Sequence, residues 1–400
     1  MNNIIPLRLR FDPAIWQKPL CTRFFALVPC GLATALQESL PSYLDRLAQL
    51  HAVPNGPFFL NEVHPKPVPS SGSLLGRHSR CLLLGNNYTE RIASFVAHLT
   101  GVPEVAGLGQ PSLSRCLGWY KNTRPKAAWC PLCFADWAKQ GLPIYRPLLW
   151  SLAPVRCCPV HNIFLQQQCP GCSRQFDHFA SRGWPSFCPD CGRALSEYPD
   201  SSGATDHKVP SSYDEFCTSR LSDLLKWGST CNPGDLPDGC FGMNIRNAIE
   251  VFGSEHALAR TTGMSRSIIK QWRHGCGRPQ LPGLLSLSYC FHVPLHHWVS
   301  QLVPHETFVC GTVAPNDVPS FKTYPRRPPL HLIEQAILAS LAQPTNDPPS
   351  VAKLANAIQI GHRFLYVHFP DLIRQVVERR ANAVARRKEH SAQERVRLVR

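Results

Sequence analysis

No stretch of this chain approaches the roughly 18 consecutive apolar residues that a membrane-crossing helix needs. The first ten residues, Met1-Asn-Asn-Ile-Ile-Pro-Leu-Arg-Leu-Arg10, also lack the apolar core and small-residue cleavage site of an export signal. Catalytic signatures are missing too. There is no G-x-x-x-x-G-K-[ST] loop to cradle phosphates, so ATP hydrolysis is not expected. Gly107-Leu-Gly109 lacks the third glycine of a dinucleotide fingerprint and reads as a loop. Neither H-E-x-x-H nor H-x-E with P-C-x-x-C occurs, which removes the metalloprotease and deaminase templates. Acidic side chains are scarce, 27 against 42 Lys and Arg, so a carboxylate-bound nuclease metal has little to build on. The expectation is a non-enzyme with no membrane partner.

Cysteine is plentiful, with 18 in 400 residues, and its spacing is informative. Four ligand pairs fall between Trp129 and Gly192: Cys130-Pro-Leu-Cys133, Cys158-Pro-Val-His161, Cys169-Pro-Gly-Cys172 and Cys188-Pro-Asp-Cys191. Two intervening residues let a knuckle chelate one metal, and two knuckles complete a tetrahedron. Proline after each first ligand fixes φ and favours the tight turn. Eight soft ligands therefore predict two structural zinc ions, with no open position for water activation. The second quartet has zinc-ribbon spacing, C-x2-C-x15-C-x2-C, while the first is more open. Sequential pairing and a RING-like cross-brace both satisfy the spacing. Cys157 reads as a free thiol beside the ligand Cys158. Metal-spaced thiols without an export signal point to a reducing, cytoplasmic compartment.

The net charge of +15 suggests a polyanionic partner, most commonly nucleic acid, though charge alone does not separate DNA from RNA or an acidic membrane surface; the motifs below point to double-stranded DNA. Prolines punctuate the chain at 65–73, 199–212, 232–239, 323–329 and 343–350, which read as loops. From Glu38 the sequence runs Glu-Ser-Leu-Pro-Ser-Tyr-Leu-Asp-Arg-Leu-Ala-Gln-Leu50, with Leu40, Tyr43, Leu44, Leu47 and Leu50 at helical spacing. Ser39 can cap this core helix, and His51 would meet its terminal carbonyls.

That helix is followed by Trp129-Cys-Pro-x-Cys133, Tyr145-Arg-Pro-Leu-Leu-Trp150, Cys158-Pro-x-His161 and Cys169-Pro-x-Cys172. The series, from about Gln37 to Leu195, resembles the TniQ/TnsD family of target-selection proteins from Tn7-like and Tn5053-like transposons. The resemblance implies a bacterial, nucleoid-associated adaptor that marks an insertion target and recruits an AAA+ ATPase regulator, which engages the transposase. Some relatives read DNA themselves, and shorter ones are positioned by an RNA-guided CRISPR complex. It also implies sequential fingers, Cys130, Cys133, Cys158 and His161 in one and Cys169, Cys172, Cys188 and Cys191 in the next. Trp150 reads as packing, whereas Arg146 could serve packing or a phosphate or partner contact.

Farther on, Ser254-Glu-His-Ala-Leu-Ala-Arg-Thr-Thr-Gly-Met-Ser-Arg-Ser-Ile-Ile-Lys-Gln-Trp-Arg-His-Gly275 fits a helix-turn-helix. Ala259 is small where two helices cross, Gly263 supplies the turn, and Ser265 can cap the second helix. Ile269 and Trp272 would pack inward. Arg266, Ser267, Lys270 and Arg273 would face a major groove and its phosphates. Residues 284–299 look like the closing helices. A weaker copy starts at Ser350, where Ala355 and Leu365 match Ala259 and Ile269 but Gln359 replaces the turn glycine. Its Arg363, and the tail cations Arg379, Arg380, Arg386 and Arg387, could clamp a phosphate backbone or form a solvated face.

The predicted architecture is mainly α and multidomain. A TniQ-like domain spans 1–195, with an N-terminal helical segment and a zinc-ribbon-like double finger at 129–192. A linker at 196–238 leads to a helix-turn-helix domain at 239–305. A second linker at 306–329 precedes a helix-turn-helix-like unit with a basic helical tail at 330–400. A homodimer is left open. Alternative functions are a zinc-finger, helix-turn-helix transcription regulator and a RING-like interaction module.

Overall fold

The computed structural model describes residues 22–64, 81–84, 86–118, 122–179, 184–197, 209–309, 329–344, 348–358, 360 and 362–399. The expected loops at 65–73 and 323–328, most of that at 199–212, and the turn residue Gln359 lie outside these residues. So do the side chains of Arg363 and Arg387. The described residues form helices and short helical turns with no strand, only isolated antiparallel bridges such as Trp129 with Gln166 and Phe187 with Ala194. None of these helices is long and apolar enough to cross a membrane. The chain separates into two compact units, 1–318 and 319–400.

The first unit starts from α1 (Leu40–Leu50), which Ser39 caps by accepting from the Ser42 N–H. Leu40, Tyr43, Leu44 and Leu47 are completely buried, as the helical spacing requires, whereas Leu50, expected on the same stripe, is exposed at the last residue of the helix. They pack against Ile92, Ala93 and Val96 of α2 (Asn87–Thr100) and against Val105 and Leu108. Burying each such aliphatic side chain contributes about 1.5–3 kcal/mol. Asn86 caps α2, and Gly101, at φ 69°, ends it in the left-handed conformation that glycine tolerates. Gly107-Leu-Gly109 belongs to a 3₁₀ turn, Pro103–Gly109, rather than to an irregular loop. A side chain at Gly109 would lie 3.0 Å from the Glu90 backbone, so the glycine permits this turn to press on α2. His51 meets the terminal carbonyls of α1 through its backbone N–H, which donates to the Leu47 carbonyl at 3.1 Å, while its side chain turns elsewhere: Nε2 accepts from the Phe25 N–H at 3.2 Å, and the ring lies among Phe24, Phe25 and Phe58.

Arg146 joins α1 to the metal-ligand region, and it is buried. Its guanidinium pairs with Asp45 of α1 and donates to the carbonyls of Pro185 and His178, each at 3.3 Å. Its backbone N–H donates to Ser42 Oγ at 2.9 Å, and its carbonyl accepts from Ser39 Oγ at 2.9 Å. Arg146 is therefore an internal staple and not a surface contact for phosphate or partner. Burial pushes the Asp45 carboxyl up to about 7, against the pull of Arg146. Glu38 is likewise buried, accepting from the Cys30 N–H at 3.1 Å, Ser42 Oγ at 3.0 Å and Arg46 at 2.5 Å. The Glu-Ser-x-x-Ser-Tyr-Leu-x-Arg sequence is thus one polar network laid along a helix.

The segment 196–238, expected as a linker, holds a helix of 19 residues, α4 (Ser212–Thr230; α3 is Pro131–Lys139). Ser211 and Asp214 form a capping box at its start. Cys217, Leu221, Leu224, Leu225 and Gly228 bury one face. Beyond it, α5 (Cys240–Phe252), α6 (Glu255–Thr262), α7 (Arg266–Arg273) and α8 (Leu281–Phe291) follow. The side chain of Asn244 in α5 donates to the Trp298 and Gln301 carbonyls and accepts from the Val303 N–H, which fixes the closing segment.

The second unit consists of α9 (Leu330–Ala342), α10 (Val351–Ala357), α11 (His362–His368) and α12 (Pro370–Val399). Ile333, Ile337, Leu354, Ala355, Leu365, Ile373 and Val376 make its core.

Replacing Arg146 with Met leaves Asp45 buried without its counter-charge. The expected cost is about 3–5 kcal/mol of stability, measured by urea unfolding. The double variant Asp45→Asn, Arg146→Met should recover a large part of that loss.

Candidate metal centres and nucleic-acid interface

The ligand pairs converge in chain order. Cys130, Cys133, Cys158 and His161 bring one ligand atom each within 4.8 Å of one another, and so do Cys169, Cys172, Cys188 and Cys191. This partition is sequential, not cross-braced. Cys130 is the N-cap of α3, so the helix start supplies the first knuckle and Cys133 lies in its first turn. Within the first group the Sγ atoms of Cys133 and Cys158 are 3.5 Å apart, and His161 Nδ1 is 3.5, 3.3 and 3.8 Å from Cys130, Cys133 and Cys158. In the second group Cys169 and Cys191 are 3.5 Å apart, and Cys172 and Cys188 3.8 Å. A tetrahedron with metal–sulfur bonds of about 2.3 Å has edges of about 3.8 Å. The donor types and spacing therefore suit zinc. Backbone N–H groups of Cys133, Val160 and Gly171 point at the sulfurs of Cys130, Cys158 and Cys169, as expected around thiolates.

Sequence reasoning missed Asp136. Its Oδ2 lies 2.9 Å from His161 Nε2, on the far side of the ring from the ligand nitrogen. A carboxylate there holds the imidazole with Nδ1 toward the metal and raises its basicity. The available signal was a carboxylate one helical turn beyond the ligand Cys133. Cys157 stays outside the ligand set, with its buried Sγ 3.1 Å from Thr218 Oγ1 on α4. Trp137 stacks on Tyr145 at 4.5 Å and on Trp150 at 5.9 Å, so Trp150 is packing, fully buried. Trp129 lies flat on Phe176 and donates to the Leu195 carbonyl at 3.0 Å, tying the two metal-ligand groups together.

In the helix-turn-helix region, α6 and α7 are joined by Gly263 at φ 67°. Ser254 caps α6 by accepting from the Ala257 N–H at 3.1 Å. Ser265 makes no such cap for α7, because its hydroxyl faces Ser267 Oγ at 3.1 Å. Ala259, Ile269 and Trp272 are buried where the helices cross, and Phe241 meets the Trp272 ring edge-on at 5.1 Å. Arg266, Ser267, Lys270 and Arg273 are all exposed on one side of α7. The region is bonded to the rest of its unit: Arg278 donates to the Ser114 carbonyl, Asn122 Oδ1 accepts from the Leu281 N–H, and the Gly118 N–H donates to the Pro279 carbonyl.

The tail cations divide. Arg379 donates to the carbonyls of Ser340, Leu341 and Gln343, which closes the C-terminus of α9. Arg380 donates to the Pro348 carbonyl at 2.8 Å. Both are bound within the unit instead of projecting as a phosphate clamp, while Arg386 is exposed.

The described residues thus form a mainly helical body with two groups of four Cys and His side chains that could each hold a metal ion and suit zinc. Within it, residues 29–165 match the TniQ family model, so the chain carries a TniQ domain. The match ends before the second quartet begins at Cys169. No curated protein matches the chain. The TniQ domain supports a protein associated with transposition.

Replacing Cys169 and Cys172 with Ser should remove one of the two metal equivalents and loosen residues 169–195, as read by metal analysis and proteolysis. Asp136→Asn should keep both equivalents but weaken the first site about 10- to 100-fold against a competing chelator.

Proposed function

We propose that this chain is a non-catalytic, DNA-binding adaptor. It selects a transposition target on double-stranded DNA and recruits an AAA+ ATPase regulator and through it the transposase. The observation that carries this reading is one compact unit holding both a TniQ domain and a helix-turn-helix with four exposed polar or cationic residues on α7. Two structural zinc ions, held by Cys130, Cys133, Cys158 and His161 and by Cys169, Cys172, Cys188 and Cys191, would cross-link the knuckles and leave no position for catalysis. Arg266, Ser267, Lys270 and Arg273 are the groove and phosphate contacts, and Arg386 adds backbone affinity. A chain with its own reading helix has less need of positioning by an RNA-guided complex.

Selection of bound sequences from random duplexes by the zinc-loaded full chain, at a fixed salt concentration, tests target choice. A sharp enriched motif is expected. Binding without enrichment would make the chain a bridge placed by another factor, and absence of binding would sink the DNA reading. The double variant Lys270→Ala, Arg273→Ala should melt like the parent. Its affinity should drop about 10-fold or more at near-physiological salt, and the slope of log K against log salt should fall by about two.

A further inference from the structure

The side of α7 assigned to DNA carries an anion at its centre. Glu255 is the first residue of α6 and is 9 % exposed. Its Oε1 accepts from Arg273 Nη1 at 3.0 Å and its Oε2 lies 3.4 Å from Arg266 Nε. One carboxylate thus engages two arginines that are two helical turns apart on the same side of α7. The three residues line an open concavity of about 690 Å³ with Arg246, Lys270, His256 and His274. Glu250 is the other carboxylate there, so four Arg and Lys face two acids and the concavity stays cationic. Hydrogen bonding to Arg273 and then to Arg266 holds the Glu255 carboxyl below the usual range, and the N-terminus of α6 favours the same charge.

A carboxylate on a DNA-facing surface repels phosphate and lowers affinity for any sequence. It also does something useful. An arginine side chain has about 2 kcal/mol of rotamer entropy to lose on being fixed. Arginines already held in one orientation lose less on binding and cannot swing freely to phosphates at mismatched sites.

We infer that Glu255 is a positioning residue for sequence reading, which holds Arg266 and Arg273 in a fixed orientation toward the groove and lowers general phosphate affinity as it does so. This rests on the DNA-binding reading above. Other HTH cations are differently placed: Arg246 donates to the Arg273 carbonyl at 3.1 Å and so supports the end of α7.

The test compares the full zinc-loaded chain with Glu255→Gln and Glu255→Asp. Each is titrated with the selected duplex and with a scrambled duplex at two salt concentrations, with melting temperature as a control. Glu255→Gln should bind scrambled DNA several-fold tighter, with a steeper salt slope. Its ratio of selected to scrambled affinity should fall about 10-fold, the scale of one well-oriented arginine contact. Glu255→Asp keeps the charge and should recover part of that ratio even if Glu255→Gln melts early. An unchanged ratio, or equal losses on both duplexes, overturns the inference and makes Glu255 a structural cap. If the parent chain binds both duplexes equally, the positioning role fails while DNA binding stands. If the parent binds neither, the DNA reading itself has failed.

Discussion

The Arg146–Asp45 pair holds the TniQ region together, because it is the point where α1 is fixed to the metal-ligand region. Removing two charges from water costs several kcal/mol per ion, and attraction alone seldom offsets it. Here extra donors and acceptors help: Asn55 donates to Asp45 at 2.6 Å, and the Pro185 and His178 carbonyls receive two further guanidinium hydrogens. Such a pair permits few alternative dockings. A purely apolar contact could slide along α1, whereas this one has a single geometry.

The ligand pairs then determine what lies beyond that pair. Among the described residues of 166–195 the large buried apolar side chains other than ligands are Phe176, Phe179 and Leu195, so a metal in each ligand group would add most where apolar packing is thin. Phe134, Trp137 and Trp150 supply apolar packing between α3 and the 3₁₀ turn Leu148–Ser151, and Trp129 supplies it against Phe176. The first site is anchored on a helix and backed by α4 through Thr218, and by Glu215, which accepts from Asn162 at 2.6 Å. The second is built from turns. That difference follows from sequence: Cys130 starts a helix-forming run, while Cys169 and Cys188 start runs rich in Pro and Gly.

Much of this was legible from residue order alone. The stripe on α1, the eight converging ligand atoms and the Gly263 turn each arise from local spacing, which sequence displays directly. What escaped was set by partners distant in the chain. Arg146 gives no sign that Asp45 awaits it, and Arg379 looks like any other tail cation until the open carbonyls of α9 are beside it. Asp136 was passed over although it stands one helical turn beyond Cys133, and Glu255 because a lone acid at a helix start has no distinctive spacing. The helix α4 was a different kind of miss. Its capping box was visible, but the proline-rich stretch before it drew the whole segment into the linker.

The bonds from Arg278, Pro279 and Leu281 to Ser114, Gly118 and Asn122 tie the segment between α7 and α8 to the TniQ domain within one compact unit. For an adaptor of the proposed kind, such a body behaves as a ruler: the face that meets DNA sets both the distance and the helical phase at which the rest of the machinery is presented. Insertion at a constant offset from the recognised sequence would then be a property of rigidity, requiring no further measurement by the transposase.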